Sequence, residues 1–316
     1  MKGSDCIGFN TPVALIIFNR ADTTRMVLDV LREIKVRDLF VIADGPRDDN
    51  QEDQALCMEA RAVIDEIDWP CKVNRHFHDK NLGCGHNPAS GIDWVFSQVD
   101  ECIILEDDCI PHLSFFPYCQ EMLERYMNDT RIMMVSGNNH LLNKAQIPDS
   151  YFFSINTQTH GWATWKRAWE KYDFYMTDWP VVGTFEWLNN FLNHERYAKG
   201  WLKILTSTYY EANNNPKCSI WDFQWTYACW KNHALNIIPS VNLVSNAGYG
   251  ENATHQMPLD HPLANLPQNE MKFPLTHPVV ILPNYDADLV LRETVYGLRP
   301  LYKRVYLKLL RMFGLS

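Results

Sequence analysis

Residues 101–116 read ECIILEDDCIPHLSFF: a short apolar run, Cys102 to Leu105, that ends in three successive carboxylates, Glu106, Asp107 and Asp108. The run has the length and composition of a buried strand. Like charges side by side repel, and the neighbouring sequence supplies no Lys or Arg to neutralise them. Adjacent carboxylates become tolerable beside a divalent cation or a strong hydrogen-bond donor. Hard oxygen ligands suit Mg²⁺ or Mn²⁺, and Mg²⁺ is usually held by one or two carboxylates together with substrate phosphates. The competing reading is an exposed acidic turn at a strand end.

Outward from that strand, the first ~140 residues alternate strand and helix patterns. PVALIIF (12–18) is a continuous apolar run, as a strand covered on both faces requires. Asp22 is placed to cap the next helix, in which Met26, Val27, Val30, Leu31 and Ile34 recur at helical spacing. DLFVIADG (38–45) predicts a second strand, 51–67 a helix, CKVNRHFH (71–78) a third strand. Asn87-Pro88 predicts a cap and first-turn proline for a helix through Phe96. ECIILEDD is the fourth strand, a helix follows to about Met127, and RIMMVSGNN is the fifth. This order predicts an α/β fold, a mostly parallel sheet with helices on both faces, whose ligands bind beyond the carboxyl ends of the strands. Polar residues gather at those ends: Asn19-Arg20, Asp44, Glu106 to Asp108, and Ser136-Gly137-Asn138.

After residue 150 the alternation fades into Trp-rich segments, HGWATWKRAWEKYD and SIWDFQWTYACW, and then a loop-rich stretch at 239–288. With no flexible linker between them, the second half is expected to pack on the first. Eleven Trp and fourteen Tyr supply either core bulk or faces for sugar rings, and composition does not separate the two. The net charge of −9 argues against nucleic acid as a partner, because phosphate binding needs a basic surface. Nine scattered Cys, an odd number without a C-x-x-C pair, fit reduced thiols better than a disulfide framework or a zinc knuckle. Residues 1–10 show no leader pattern and no run reaches the ~20 apolar residues of a membrane span. The expected location is the cytoplasm, with a peripheral position at the inner membrane face where the tail contributes. From Arg292 to Arg311 there are six Lys or Arg against one Glu. On a helix, Arg304, Lys308 and Arg311 form a stripe opposite Tyr302, Tyr306, Leu309 and Phe313. Such a helix lies on an anionic membrane surface or docks on the body with a solvated basic face.

Five segments taken together, LIIFNRADTTRMVLDVL (15–31), VIADG (41–45), NLGCGHN (81–87), IILEDDCIPHLSFF (103–116) and GWATWKRAW (161–169), resemble nucleotide-sugar glycosyltransferases of the GT-A fold. The likeness is greatest to the N-acetylglucosaminyltransferase I type and related bacterial sugar transferases, and it spans roughly residues 12–255. It implies a Rossmann-like, GT-A sheet and a transfer from a nucleotide-sugar donor, UDP in particular, to a glycan or lipid-linked acceptor; the basic tail adds the expectation of an acceptor at the inner membrane surface, in surface polysaccharide synthesis. With the fading alternation after residue 150 and the basic tail, the chain divides into a nucleotide-sugar-binding half (1–150), an acceptor half (151–290) and the basic helix (291–316).

Residue by residue, the resemblance puts Asn19 and Arg20 at the donor diphosphate or base, where a guanidinium can bind two oxygens at once; a surface Arg20 paired with an acid is the alternative. It puts Asp44 on the base, with Gly83 and Gly85 allowing close backbone approach to the nucleoside. It makes Asp108 the ligand of Mn²⁺ or Mg²⁺, Glu106 and Asp107 the donor-sugar and ribose contacts, and His255 a further metal or phosphate ligand. Inverting transfer needs a base for the acceptor hydroxyl. Asp222, between Trp221 and Phe223, is the first candidate, ahead of Glu170, Asp173 and Asp178. Gly161 and Trp162 are the acceptor-side candidates, with a core role for Trp162 and Trp165 as the alternative. His76 and His78 alternate on a strand without a third ligand at metal spacing and are read as strand-exit residues. A nicotinamide dehydrogenase lacks its G-x-G-x-x-G, and a sugar nucleotidyltransferase lacks a Gly-rich loop after the first strand. A non-catalytic sugar-binding scaffold of the same fold is the remaining alternative.

Overall fold

Five residues buried on both sides, Val13–Ile17, form β1, near the middle of the sheet. The pleat divides them by parity. Val13, Leu15 and Ile17 enter one core with Val27, Leu28 and Leu31, whereas Ala14 and Ile16 enter another with Ile92, Val95 and Trp225. A strand with apolar neighbours on both faces reads as a continuous apolar run, and PVALIIF is one.

The computed structural model of the chain describes residues 8–248 and 266–295. After β1 come α1 (Ala21–Ile34), β2 (Asp38–Ala43), α2 (Asp53–Ala62), β3 (Lys72–Phe77), α3 (Gly83–Phe96), β4 (Glu101–Glu106), β5 (Cys109–Pro111), α4 (Phe115–Tyr126) and β6 (Ile132–Ser136). The second half adds β7 (Tyr151–Ser154), β8 (Trp162–Trp165), α5 (Lys166–Trp169), α6 (Trp179–Val182), α7 (Phe185–Leu192), α8 (Glu195–Asn214), α9 (Asp222–Lys231), β9 (Leu235–Pro239), β10 (Val244–Asn246) and α10 (Tyr285–Thr294).

Among the described residues, eight strands form one sheet in the order β3-β2-β1-β4-β8-β6-β9-β7. The β3-β2-β1-β4 block and the β6-β9 pair are parallel; β8 and β7 run against their neighbours. Helices cover both faces, and the whole is consistent with a Rossmann-like, GT-A type fold. Strands from both sides of residue 150 interleave: β8 lies between β4 and β6, with Trp162 opposite Ile104 and Ser136. The short β5 leaves the sheet and pairs antiparallel with β10, Asn246 opposite Cys109.

Two helix starts differ from expectation. Arg20, not Asp22, is the N-cap of α1, and Asp22 lies in the first turn, where a carboxylate still meets the positive end of the helix dipole. Helix α3 begins at Gly83, four residues before Asn87, and carries Pro88 inside it. The cause is Asp44, at the end of β2, which accepts hydrogen bonds from the Leu82 and Gly83 amides at 2.7 and 2.9 Å. A cap reaching over from another strand moves the start upstream of the local signal.

The tryptophans are mainly core. Trp162, Trp221 and Trp225 pack with Trp169 and Tyr172 between the sheet and α9, ring centroids 4.2 to 6.4 Å apart. A second cluster, with Trp179, Trp201 and Trp230, joins α6, α7, α8 and α9. Each such ring buries a large apolar area, which is what these helices, outside the sheet, need for cohesion. No described helix is long and apolar enough to cross a membrane. The basic stripe at Arg304, Lys308 and Arg311 lies outside the described residues, as does His255.

Candidate active site

The pleat that buries Ile104 against α3 and α9 sends Glu106, two residues on, to the same face. Asp107 and Asp108 follow in the turn between β4 and β5 and meet the turn that leaves β1. There the missing counter-charge appears: Arg20 places Nη2 2.5 Å from Asp107 Oδ1 and Nη1 3.2 Å from Asp108 Oδ2. The Phe18 amide donates to the other Asp107 oxygen at 3.3 Å. Asp107 is the more enclosed acid, its side chain 4% exposed against 15% for Asp108 and 23% for Arg20.

Asp222, on the first turn of α9, adds a fourth carboxylate, close enough for its charge to act on Glu106. Burial first, then Asp108, Asp107 and Asp222, pushes Glu106 up to about 8, against the pull of Arg20. Burial also raises Asp107, to about 7, outweighing the guanidinium. Burial lowers the basicity of Arg20, but the facing acids more than restore it. The site thus joins four acids to one guanidinium, an excess of negative charge that calls for a second cation or for protons.

The approach to Asp108 is narrow. The β5–β10 ribbon brings Ala247 to donate its amide to the Asp108 carbonyl at 2.8 Å. A Cβ on Gly248 would lie 2.0 Å from Asp108 Oδ2, so only glycine fits there without displacing the carboxylate. Sequence reading places Gly248 in the loop-rich stretch 239–288 but gives no sign that it faces Asp108.

Other expected site residues have different neighbours. Asn19 donates to Asp53 Oδ1 at 2.9 Å, and the buried Asp53 is also held by Arg47, whose hydrogen bonds lower its pKa. Neither Asp53 nor Arg47 stood out in the sequence, where they sit in a charged run. Asp44 accepts from Gly45, Leu82 and Gly83 amides and from Asn81 Nδ2, all within 3.0 Å. A carboxylate has about four acceptor directions. All are taken by the protein, so Asp44 supports the 81–83 loop rather than meeting a base. Gly83 adopts φ +83°, a left-handed conformation that glycine accepts freely. The close approach at Gly85 is to the chain itself, since a Cβ there would meet the Cys218 carbonyl at 2.3 Å.

On the acceptor side, Trp162 is 1% exposed and Gly161 is buried, its carbonyl accepting from the Gly137 amide at 2.8 Å. Neither offers a face to a sugar; the core alternative is the one the structure adopts. Among the rival bases, Asp178 is paired with Lys231 and Tyr227, Asp173 holds Thr177 and the Tyr175 amide, and Glu170 is exposed. His76 stacks on Trp94 at 4.8 Å, with His78 edge-on to it.

Among the described residues, no three His, Cys, Asp or Glu side chains converge to hold a metal ion by themselves. Mg²⁺ and Mn²⁺ do not require that when phosphates complete the shell. The hard oxygen of Asp108, partly exposed and held at 3.2 Å by a single cationic group, has the chemistry to take such an ion.

The sequence matches no family model and no curated protein. Among solved structures, similarity extends to mouse xyloside xylosyltransferase 1 in its apo form, at 12% identity over 70% of this chain and 81% of that one, TM-score 0.32. It extends also to the inositol-1-phosphate CTP transferase from T. maritima, at 7% identity over 73% and 86%, TM-score 0.34. HddC from Yersinia pseudotuberculosis complexed with GMP-PN aligns at 10% identity over 50% and 77%, TM-score 0.30. None of the three is of the N-acetylglucosaminyltransferase I type. At these scores the likeness carries no weight for activity, and the fold rests on the sheet itself.

Proposed function

We propose that the chain is a metal-dependent, inverting glycosyltransferase that moves a sugar from a nucleoside diphosphate, UDP first, to a hydroxyl of a glycan or lipid-linked acceptor. The observation that carries the proposal is the convergence of Arg20, Glu106, Asp107, Asp108 and Asp222 at the carboxyl edge of β1 and β4. Open α/β sheets bind ligands at that edge.

In this reaction the bond from the anomeric carbon to the diphosphate oxygen breaks, and the acceptor oxygen bonds to the opposite face of that carbon. Asp222 takes the acceptor proton, and the electron pair of the broken bond leaves with the diphosphate. Glu106, whose raised pKa favours a bound proton near neutrality, donates a hydrogen bond to a donor hydroxyl. Asp107 keeps Arg20 in place, and Arg20 faces the phosphates. Mn²⁺ or Mg²⁺ on Asp108 would offset the charge that collects on the departing nucleotide.

Thermal shift with a panel of nucleotide sugars tests the reading, since a ligand of the native state stabilises it by mass action. The expected result is a rise in Tm with one nucleotide family in Mn²⁺, absent with chelator and absent in Asp108→Ala. Equal shifts with chelator, or none with any nucleotide, would overturn it.

A further inference from the structure

We infer that Arg20 is a resident counter-ion that a divalent cation must displace from Asp108, so that metal and diphosphate bind together far better than either does alone. The inference rests on the metal-dependent reading above and concerns how the site is loaded.

Its basis is the unequal grip of one guanidinium on two carboxylates. The contact to Asp107 is 2.5 Å, in the more enclosed position, and Asp107 is also held by the Phe18 amide. The contact to Asp108 is 3.2 Å, on the more exposed acid. Charge-assisted N–H···O bonds are strongest near 2.7–2.9 Å. The weaker link is therefore the one to Asp108, and Asp107 anchors the arginine when that link opens. Asp108 Oδ2 carries the Arg20 contact and lies close against Gly248, where a Cβ would come within 2.0 Å of it. A cation arriving on that oxygen competes directly with Nη1.

The consequence follows from what Nη1 does next. With metal alone, Nη1 loses its acceptor, faces a like charge and gains nothing. With a diphosphate also present, the freed Nη1 donates to a phosphate oxygen, and the guanidinium joins the two acidic partners it can hold at once, Asp107 and the ligand. Metal binding thus includes the loss of an ion pair that only the anionic ligand replaces. Arg20 is a binding residue with two partners in turn: it pairs Asp107 with Asp108, and it yields Asp108 for the phosphate when a nucleotide arrives.

The test is Mn²⁺ binding to the 316-residue chain, followed by the electron paramagnetic resonance of free Mn²⁺, with and without UDP. Wild type is expected to bind Mn²⁺ weakly alone and at least tenfold more tightly with UDP. In Arg20→Gln the competition is gone, so Mn²⁺ alone should bind about tenfold more tightly than in wild type, the factor of ~1.4 kcal/mol. The gain from UDP should shrink in the same variant. Arg20→Lys keeps the charge but cannot span two carboxylates as a fork, and it should fall between the two. Unchanged or weaker Mn²⁺ binding in folded Arg20→Gln and Arg20→Lys would overturn the inference while leaving metal dependence intact. If wild type with UDP binds no Mn²⁺ and Asp108→Asn behaves identically, the metal-dependent reading fails and the inference with it.

Discussion

Arg20 and Asp107 are 87 positions apart in sequence and 2.5 Å apart in space, joined by a guanidinium that also touches Asp108. This contact ties the β1–α1 turn to the β4–β5 turn, so the acids that define the site also close the sheet's edge. Removing the arginine leaves Asp107 enclosed with no cation. Arg20→Met should lower stability by about 2–3 kcal/mol, below the ~3–5 kcal/mol of a fully buried pair because Arg20 is partly solvated. Arg20 lowers the pKa of both Glu106 and Asp107, so its loss moves these already raised values further up. The ionised forms then weaken the fold, and the deficit against wild type should shrink as pH falls from 8 to 5. Urea unfolding at several pH values checks both the size and the slope.

The acids were legible in the sequence, but their partner was not. Arg20 was visible as a strand-end residue, read as a phosphate ligand or as the partner of some acid; which acid it meets was hidden, because a contact spanning 87 positions leaves no local mark. The same holds for Asp44, which caps α3 from the end of β2. For the fold, four of the first five expected strands were written in apolar runs bounded by turns, and the third, β3, is largely polar and only partly buried. The four-residue β7 and β8 were not: YFFS and WATW are too short to show a period, and WATW sits inside a Trp-rich segment. That β8 enters between β4 and β6 is a matter of long-range pairing, which no window of sequence contains.

Gly248→Ala offers a separate probe of Asp108. A Cβ 2.0 Å from Oδ2 and 2.8 Å from Cγ requires the carboxylate or the loop to move. Because Asp108 is partly exposed, the fold should absorb the change at a cost of about 1 kcal/mol or less. Affinity for UDP with Mn²⁺ should fall by about tenfold or more, the effect of losing ~1.4 kcal/mol at the ligand. A calorimetric titration beside a thermal melt separates the two, and unchanged affinity would detach Gly248 from the site.

Trp162 serves the core and not an acceptor sugar, and this also has a measurable consequence. Its ring stacks on Trp221 at 5.9 Å and packs on Trp169 and Trp225. Trp162→Ala should cost about 3–5 kcal/mol, as other buried aromatic truncations do. Trp162→Phe should retain much of the fold and leave acceptor KM within about twofold of wild type, since less than ~0.5 kcal/mol would then be lost at the acceptor. A selective rise in acceptor KM in the folded Trp162→Phe protein would return the residue to the binding surface.

Far from the site, Asp288 fixes α10 to the sheet. It is 1% exposed and accepts hydrogen bonds from Ser154 Oγ at 2.5 Å and Asn156 Nδ2 at 2.9 Å, with Arg292 one turn along the same helix over the Tyr197 ring. Burial raises its pKa to about 6 from 3.8, and these hydrogen bonds and Arg292 only partly oppose the shift. The native state therefore holds the proton more tightly than the unfolded chain does. The stabilisation is complete below pH ~4, where both states are protonated, and it is lost as pH rises through ~6. Across that window Asp288 should remove on the order of 2–3 kcal/mol of stability. Asp288→Asn keeps one acceptor oxygen and cannot ionise, so it should flatten this part of the stability–pH curve. The variant should match wild type most closely near pH 4 and exceed it at pH 7, and chemical denaturation at both values decides the matter. A wild-type slope that persists in the variant would assign the titration to another group.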